Sequence, residues 1–553
     1  MKVHALNFAG ALLLFCSGSP TCLAVNAAGA MPSPVNQVFQ FMQSGVCTNW
    51  SDGSSSKATA YLWIPENCQK VRGLLILCAN VPEHRLVGHP AIREACAKND
   101  LGIVWCVPSF MNFRKSKETG TDMAHENKTS TDFLQQLLDG LAKNSGYDEV
   151  ATVPWLPMGE SGHLLMVDAL VEQCPDRCIA GIWVKNNHLP PKNRNVPALV
   201  AFGSAQEWSQ TQSDIRTNWN NVRKAYEGVL EQRKKNPDWP LSSLIDGSSG
   251  HFDCSDKLAE FFAHYIDQVV KARLAADGSL KPVSLEQGYL ADLAVPGHTN
   301  LPPKKFSEFK AEARGLPWFF DEASAKAAQS FAAINWQAET QLPGFADASG
   351  KVLPFNFNGI SNLEPKYEDD GITFTLRGVM LDQLPEQFTN AGVKLAKTSG
   401  EPTLEWLCGP VKPLGGEKFQ IALDRSWPSS ACYLAARQAG TDRIRASVQP
   451  CGVKLLKNNT GHAQKITFVP IPDMSAGAKS IKLVASSSAG LPVKFLVRAG
   501  PAVIHGDELE FTPIPPRSKL PLAVTVGAWQ WGRAGESPVK TEIVEQTFNI
   551  LSK

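Results

Sequence analysis

The sequence predicts an α/β fold, with a mostly parallel sheet and helices on both faces, followed by C-terminal all-β sandwich domains. Up to about residue 276, short and almost wholly apolar runs alternate with segments of helical length. Beyond residue 340, short alternating segments separated by turn residues replace them. Apolar runs of the first kind suit strands covered on both faces, whereas alternating segments suit sheets with one buried face.

The first region, residues 31–276, contains the elements of one α/β domain. The predicted strands lie at residues 57–64, 73–78, 101–107, 150–157, 179–184, 198–202 and 241–245. The predicted helices lie at residues 91–98, 131–143, 162–173, 211–234 and 255–274. Strands that alternate with helices of these lengths predict a mostly parallel sheet with helices on both faces.

The second half of the chain differs in composition and in its pattern of apolar residues. Residues 277–340 are rich in Pro and Gly around one Ala-rich helix at 321–333, which predicts a linker or wrapping segment. Residues 341–462 and 463–553 each predict a β-sandwich, with strands such as 372–377, 418–423 and 465–469. The segment 483–495 resembles the immunoglobulin-like repeats of bacterial cell-surface proteins, and that resemblance implies spacing, packing or adhesion rather than chemistry.

Residues 1–30 predict a secretory signal peptide. Lys2 precedes an apolar stretch from Ala5 to Phe15, and small residues suited to cleavage follow. A lipoprotein signal through Cys16 is the weaker alternative, since the bulky Phe15 comes directly before it. The apolar stretch is too short to span a bilayer and no later stretch is long enough. We therefore expect a secreted, periplasmic or cell-surface bacterial protein without a membrane span.

Composition and cysteine count restrict the partners. Lys and Arg number 54 and Asp and Glu 53, so a net charge of +1 gives no electrostatic reason to expect a nucleic-acid partner. Of the 13 cysteines, two precede residue 31, and the odd remainder leaves at least one thiol unpaired in an oxidising compartment. His and Cys show no metal-ligand spacing, so no metal site is expected.

The stretch Gly159-Glu-Ser-Gly-His163 lies between a predicted strand and a predicted helix. A nucleophile elbow needs small neighbours there, because the sharp turn must raise a serine hydroxyl above the sheet edge. Ser161 is thus the candidate nucleophile, and the Gly162 N–H is one candidate oxyanion donor. Glu160 and His163 are expected to line the site. The usual motif has a small fifth residue, so His163 is a departure that would either crowd the elbow or place a second imidazole beside the site.

The stretch Asp246-Gly-Ser-Ser-Gly-His-Phe-Asp253 follows the last predicted strand and precedes a helix. A base histidine on such a loop can reach across to the serine, so His251 is the candidate general base. The third member should be a carboxylate after a strand between these two residues. Glu207 is the first carboxylate after the strand at 198–202, and Asp214 and Asp253 are alternatives.

A second oxyanion donor is expected in the loop after the strand at 73–78. The backbone N–H of Asn80 or Val81 could serve, since Pro82 has none. With these motifs, residues 57–275 resemble secreted bacterial α/β-hydrolases of the esterase and depolymerase kind. The resemblance implies a Ser161–Glu207–His251 triad, no cofactor and an ester or related acyl substrate.

Export together with accessory β modules favours an ester carried by a polymeric carbohydrate, by analogy alone. Two alternatives stay open at this point. A serine peptidase or a lactonase would use the same triad, because the triad does not encode the leaving group. A non-catalytic surface or carbohydrate-binding protein on a degenerate hydrolase scaffold would explain the altered elbow at His163.

Overall fold

The computed structural model describes most of the chain after residue 36. The described residues are 37–48, 53, 55–109, 123–185, 189–190, 195–203, 218–247, 249–293, 301–310, 314–333, 338–355, 360–388, 391–428, 431–455, 458–533 and 538–552. The expected signal peptide, Glu207 and Asp214 lie outside them. Within these ranges, no helix combines the length and apolar character that a membrane crossing requires.

An eight-stranded sheet forms the centre of the first half. Its strands are β1 (Phe41–Thr48), β2 (Ser55–Trp63), β3 (Gly73–Cys78), β4 (Leu101–Val107), β5 (Trp155–Glu160), β6 (Gly181–Val184), β7 (Ala198–Gly203) and β8 (Leu241–Asp246). They pair in the order β1-β2-β4-β3-β5-β6-β7-β8. The first two pairings are antiparallel and the remaining five are parallel. The predicted mostly parallel sheet is confirmed.

Helices cover this sheet. They are α1 (Val81–Leu86), α2 (Pro90–Lys98), α3 (Met123–Ser145), α4 (Leu164–Gln173), α5 (Asn218–Lys235) and α6 (Asp256–Arg273). Helix α2 packs on α6, whereas α3 packs on β1, β2 and α4. Because every residue of β3, β4 and β5 is buried, both faces of the sheet are covered, as expected. Two elements of this domain were not predicted from the sequence, namely β1 and the short helix α1.

The segment expected to be a linker also contains regular structure. Three two-residue strands, β9 (Tyr289–Leu290), β10 (Lys304–Lys305) and β11 (Trp318–Phe319), pair in the order β10-β9-β11. Helix α7 (Glu322–Ala332) follows, capped by Asp321, whose carboxylate accepts the Ser324 N–H at 2.7 Å. Helix α7 packs against β8 and α6. This segment therefore wraps the edge of the α/β sheet.

The C-terminal half consists of two sets of nine strands. The first set, here the first sandwich, is β12 (Pro343–Ala346), β13 (Ser361–Leu363), β14 (Thr373–Thr375), β15 (Arg377–Met380), β16 (Thr403–Cys408), β17 (Val411–Gly415), β18 (Lys418–Ile421), β19 (Tyr433–Gln438) and β20 (Ser447–Val453). The second set, the second sandwich, is β21 (Ile466–Phe468), β22 (Met474–Ser475), β23 (Ser480–Lys482), β24 (Ala485–Ser487), β25 (Lys494–Ala499), β26 (Ala502–His505), β27 (Glu508–Phe511), β28 (Leu522–Trp529) and β29 (Val544–Leu551).

The two sandwiches have the same topology. The first pairs as β13-β20-β19-β16, β14-β18-β17 and β12-β15. The second pairs in the same way, as β22-β29-β28-β25, β23-β27-β26 and β21-β24. The outer pairs β13–β20 and β22–β29 are both parallel. A register shift interrupts the equivalent pairs β16–β19 and β25–β28, between Trp406 and Cys408 and between Val497 and Ala499. The predicted all-β region is confirmed, while its immunoglobulin-like character stays a prediction.

Residues from both sheets form the core of each sandwich. In the first, Trp406 and Leu434 of the four-stranded sheet pack with Phe374 and Phe419 of the three-stranded sheet. In the second, the core continues into that of the α/β domain, because Val524 and Leu509 belong to the same apolar cluster as the central sheet. An ion pair between Arg517 and Glu149 at 3.0 Å also joins these two parts.

Cysteines serve as small apolar residues. All eleven cysteines in the described part of the chain are free thiols, and all but Cys174 are buried. Burial raises the pKa of Cys96 to about 12, because the thiolate would lose its hydration. Cys78 and Cys106, on neighbouring strands, fill the core as expected.

Candidate functional site

A sharp turn after β5 presents Ser161. The serine has φ 54°, in the left-handed region that a residue with a Cβ rarely adopts. A 3₁₀ turn at Ser161–His163 follows and leads directly into α4. Gly159 makes the turn feasible, because a Cβ there would lie 2.4 Å from the carbonyl oxygen of His163. The expected strand–turn–helix context is present, and Ser161 is half-buried at its apex.

His251 lies beside this serine. It belongs to the His251 loop, residues 249–254, which follows β8 and precedes α6. Its Nε2 lies 2.8 Å from Ser161 Oγ, within the reach that proton transfer between the two groups requires. The imidazole is buried, whereas Gly162 next to the serine is exposed. Two residues 90 positions apart therefore form a hydrogen-bonded pair next to an exposed glycine.

A buried carboxylate shapes the His251 loop. Asp253 accepts the Gly250 N–H at 2.6 Å, lies 3.4 Å from Lys185 Nζ and accepts a hydrogen bond from Arg437 at 2.7 Å. Burial alone would raise the pKa of Asp253, but the charges of Lys185 and Arg437 outweigh it and hold the pKa below its ordinary value. The described contacts of Asp253 thus brace the loop.

Glu160 and Glu83 form a second acidic feature. Only Glu160 was named as a candidate site residue from the sequence. The Glu160 carboxylate lies 3.2 Å from His251 Nε2 and also accepts from the Asn80 amide. Its backbone N–H donates to the Glu83 carboxylate at 2.7 Å. Both glutamates are about 1% exposed, so their charges act at low local dielectric. Glu160 therefore contacts the Ser161–His251 pair, and its carboxylate faces the same nitrogen that bonds the serine.

His163 contacts Glu83. The His163 Nδ1 lies 3.4 Å from the Glu83 carboxylate. Burial would lower the pKa of His163, but the hydrogen bond and the charge of Glu83 raise it above its ordinary value. The unusual fifth residue of the motif is therefore an ion-pair partner, and the Ser161–His251 bond forms beside it.

The candidate oxyanion donors lie at the start of α1. Asn80 is the residue before the first helical turn and Val81 is the first helical residue. The N–H groups of a first turn have no acceptor within their own helix. The Asn80 side chain donates to the Glu160 carbonyl at 3.2 Å, which ties this loop to the residue before the serine. Gly162, Asn80 and Val81 thus belong to adjoining segments around Ser161.

The first sandwich packs directly on these loops, which the sequence analysis did not foresee. The ring of Phe252 stacks on Tyr433 with centroids 5.4 Å apart and planes inclined by 6°. Val81 packs in the same apolar cluster with Leu407 and Ala435. A signal for this contact could not be found in the sequence, because the partners lie about 180 to 350 positions apart.

Among the described residues, no group of His, Cys, Asp and Glu has the arrangement of a metal site. Glu207, the expected third member, falls in the range 204–217 outside the described residues. The carboxyl end of β7 nevertheless lies beside that of β8, with Gly203 paired to Asp246. The chain that leads to Glu207 thus departs from a position next to the start of the His251 loop.

Comparisons with known proteins give distant structural likenesses. No family model and no curated protein matches the chain. A poly(aspartic acid) hydrolase-1 from Sphingomonas sp. KT-1 is 13% identical with a TM-score of 0.28, covering 41% of this chain and 98% of its own. The LpqC poly(3-hydroxybutyrate) depolymerase from Bordetella parapertussis is 12% identical with a TM-score of 0.29, covering 44% and 92%.

A third structure, Est1E from Butyrivibrio proteoclasticus, is 12% identical with a TM-score of 0.26 and covers 41% of this chain and 99% of its own. All three TM-scores are below 0.5.

Proposed function

We propose that this protein is a serine hydrolase with an α/β-hydrolase fold that cleaves carboxylic esters. The observation that carries the proposal is the Ser161 hydroxyl, held on a left-handed turn between β5 and α4 and hydrogen-bonded to His251 at 2.8 Å. A strained residue that the surrounding chain maintains is typical of functional sites. The strand order, with the serine after β5 and the histidine after β8, supports the same fold.

In the proposed reaction, Ser161 Oγ attacks the acyl carbonyl while His251 Nε2 takes the hydroxyl proton. The oxyanion receives hydrogen bonds from the Gly162 N–H and from the N–H of Asn80 or Val81. His251 then gives its proton to the leaving alkoxide, and an acyl-enzyme forms. Water, activated by the same imidazole, hydrolyses that ester and regenerates Ser161.

Glu207 is the proposed third member. A carboxylate is needed to hold the imidazole tautomer and to stabilise the cation that forms during proton transfer. Support comes from the strand positions, since the chain leaves β7 beside the carboxyl end of β8. Glu160 contributes a second negative charge, 3.2 Å from His251 Nε2, the nitrogen that bonds the serine.

The substrate proposal is an ester carried by a polymeric carbohydrate outside the cell. It depends on the predicted export of the chain and on the two sandwiches that follow the α/β domain. A lactone or a peptide would be cleaved by the same residues, and a panel of acetylated polysaccharide, lactone and peptide substrates separates these alternatives. The non-catalytic alternative was favoured by the unusual residue His163. His163 pairs with Glu83 and the Ser161–His251 hydrogen bond forms beside it, which supports the catalytic proposal instead.

The test of the proposed function is hydrolysis of p-nitrophenyl acetate and butyrate by the full chain and three variants. We expect Ser161→Ala and His251→Ala each to lower kcat/KM by at least about 1000-fold, as when a triad member is removed. Ser349→Ala, an exposed serine distant in sequence, serves as the matched control and keeps wild-type rates. Hydrolysis that survives in Ser161→Ala would contradict the proposal.

A further inference from the structure

The His251 loop depends on a charge supplied by another domain. Within the loop, Asp253 accepts from the Gly250 N–H, so its carboxylate fixes the backbone directly before His251. This carboxylate is 1% exposed and needs compensating cations. Lys185, at the end of β6, supplies one of them from within the α/β domain. Arg437 supplies the other from β19 of the first sandwich, 184 positions along the chain.

Arg437 is held in place for this contact. Its guanidinium donates to the Glu405 carboxylate at 2.8 Å and 3.0 Å, on the neighbouring strand β16, as well as to Asp253 at 2.7 Å. A planar guanidinium with a fixed fork of donors suits such a bridge. Burial would lower the pKa of Arg437, but the charges of Asp253 and Glu405 raise it above its ordinary value. The cation is therefore permanent.

The second sandwich shows that packing alone does not require these charges. The equivalent strand pairs β16–β19 and β25–β28 align through their shared register shifts, so that Glu405 corresponds to Leu496 and Arg437 to Trp529. Leu496 and Trp529 pack on an apolar surface of the first sandwich, formed by Ile372, Ile421 and Leu423. Equivalent positions of the two sandwiches thus face a preceding domain, and these positions hold Glu405 and Arg437 in the first sandwich but Leu496 and Trp529 in the second.

The same face also holds the loop of the candidate oxyanion donors. Arg85 of α1 pairs with Glu405 at 3.3 Å and with Asp256 of α6 at 2.7 Å. Glu405 thereby links α1, through Arg85, to Arg437 and the His251 loop. The strand pair β16–β19 of the first sandwich consequently contacts both α1 and the His251 loop, the two segments next to Ser161.

We propose that Arg437 is a positioning residue for catalysis, and that the first sandwich is an integral part of the active site rather than an accessory module. The inference rests on the proposed function. By neutralising Asp253, Arg437 keeps the His251 loop in the geometry in which Nε2 meets the Ser161 hydroxyl. Its role is to orient the base; it does not touch the reacting atoms.

The experiment compares Arg437→Gln and Arg437→Lys with wild type in the full chain, using p-nitrophenyl acetate from pH 5 to 9. Arg437→Gln is expected to lower kcat on the order of 10- to 100-fold, because small misplacements of a catalytic group cost that much, with KM within about twofold. Arg437→Lys keeps the charge but loses the fork, and should restore part of kcat. Arg377→Gln, which breaks an exposed pair with Glu417 on the same sandwich, is the matched control.

The pH profile separates positioning from a merely structural role. Without Arg437, the Asp253 carboxylate is less compensated and favours a protonated imidazole nearby, so the acid limb of kcat should move to higher pH. A folded Arg437→Gln variant with kcat and acid limb equal to wild type would overturn the inference. If that variant does not fold, Arg437→Lys decides: a reduced kcat supports the inference and an unchanged kcat overturns it. A wild-type protein without esterase activity would overturn the proposed function as well.

Discussion

Glu160 places a negative charge beside His251, the proposed general base. Its carboxylate lies 3.2 Å from His251 Nε2 and stabilises the cation formed when the imidazole takes the serine proton. We expect Glu160→Gln to lower kcat on the order of tenfold, equivalent to about 1.4 kcal/mol, and to move the acid limb of the pH–rate profile to lower pH. Glu364→Gln, an exposed partner of Lys454, is the control. Equal pH–rate profiles for Glu160→Gln and wild type would show that the Glu160 charge does not contribute to catalysis.

At this scale the sequence singled out Ser161 and His251, which the structure brings within 2.8 Å of each other, because a serine beside a glycine after a strand and a histidine after the last strand have local signatures. It did not reveal the roles of Glu83, Asp253 or Arg437. These residues act through contacts with distant segments, such as the bond from the Glu160 N–H to Glu83 across 77 positions. No local pattern encodes such a pairing.

The junction of β5 with α4 is the element on which the serine's position depends. Gly159 and Gly162 flank Ser161, but only the first faces backbone, where a Cβ would lie 2.4 Å from the His163 carbonyl oxygen. We expect Gly159→Ala to lower the free energy of unfolding by about 1–3 kcal/mol through overpacking. Gly162→Ala, with open space around its Cβ, should change it by less than about 0.5 kcal/mol.

Urea unfolding of the two alanine variants tests this difference between the glycines. Equal destabilisation of both would mean that the turn is not as tight as the backbone indicates.

Strands and helices of the α/β domain were predictable because their apolar runs are long and periodic. The short helix α1 was not, since it has only six residues and is buried throughout, which leaves no amphipathic pattern.

For the whole molecule, buried polar pairs join the domains. His84 of α1 and Asp424 of the first sandwich lie 2.7 Å apart and are at most 2% exposed. The His84 Nδ1 accepts the Gly409 N–H, which places the ring proton on Nε2, facing Asp424. Burial would raise the pKa of Asp424, but its contacts with His84 and Ser426 hold it below the ordinary value of 3.8.

This pair should make domain packing sensitive to acid. A carboxyl group whose pKa is lowered by folding stabilises the folded state above its unfolded pKa, and that contribution is lost as the pH falls from 3.8 through the folded value. Asp424→Asn should therefore lower the unfolding free energy by about 2 kcal/mol at pH 7, with the difference narrowing below pH 4. Urea unfolding across this range measures it, with Asp382→Asn, an exposed partner of Lys397, as the control. A difference that stays constant with pH would contradict this assignment.

The shared topology of the two sandwiches and the packing of the first one on the candidate site could not be predicted from the sequence. Equivalent positions carry unlike residues, such as Arg437 and Trp529, so the shared topology leaves no repeat in the amino-acid pattern. Which face of a strand is covered depends on the domain beside it. The sequence predicted a β region after the α/β domain, but not that Tyr433 and Arg437 reach the His251 loop.

The most direct test of the proposed hydrolase is to locate the adduct of a fluorophosphonate probe by peptide mass spectrometry. The wild-type chain should carry one phosphonyl group on Ser161, and His251→Ala should lose almost all labelling while remaining folded by circular dichroism. An unlabelled, folded wild-type protein, or an adduct on any serine other than Ser161, would contradict the account.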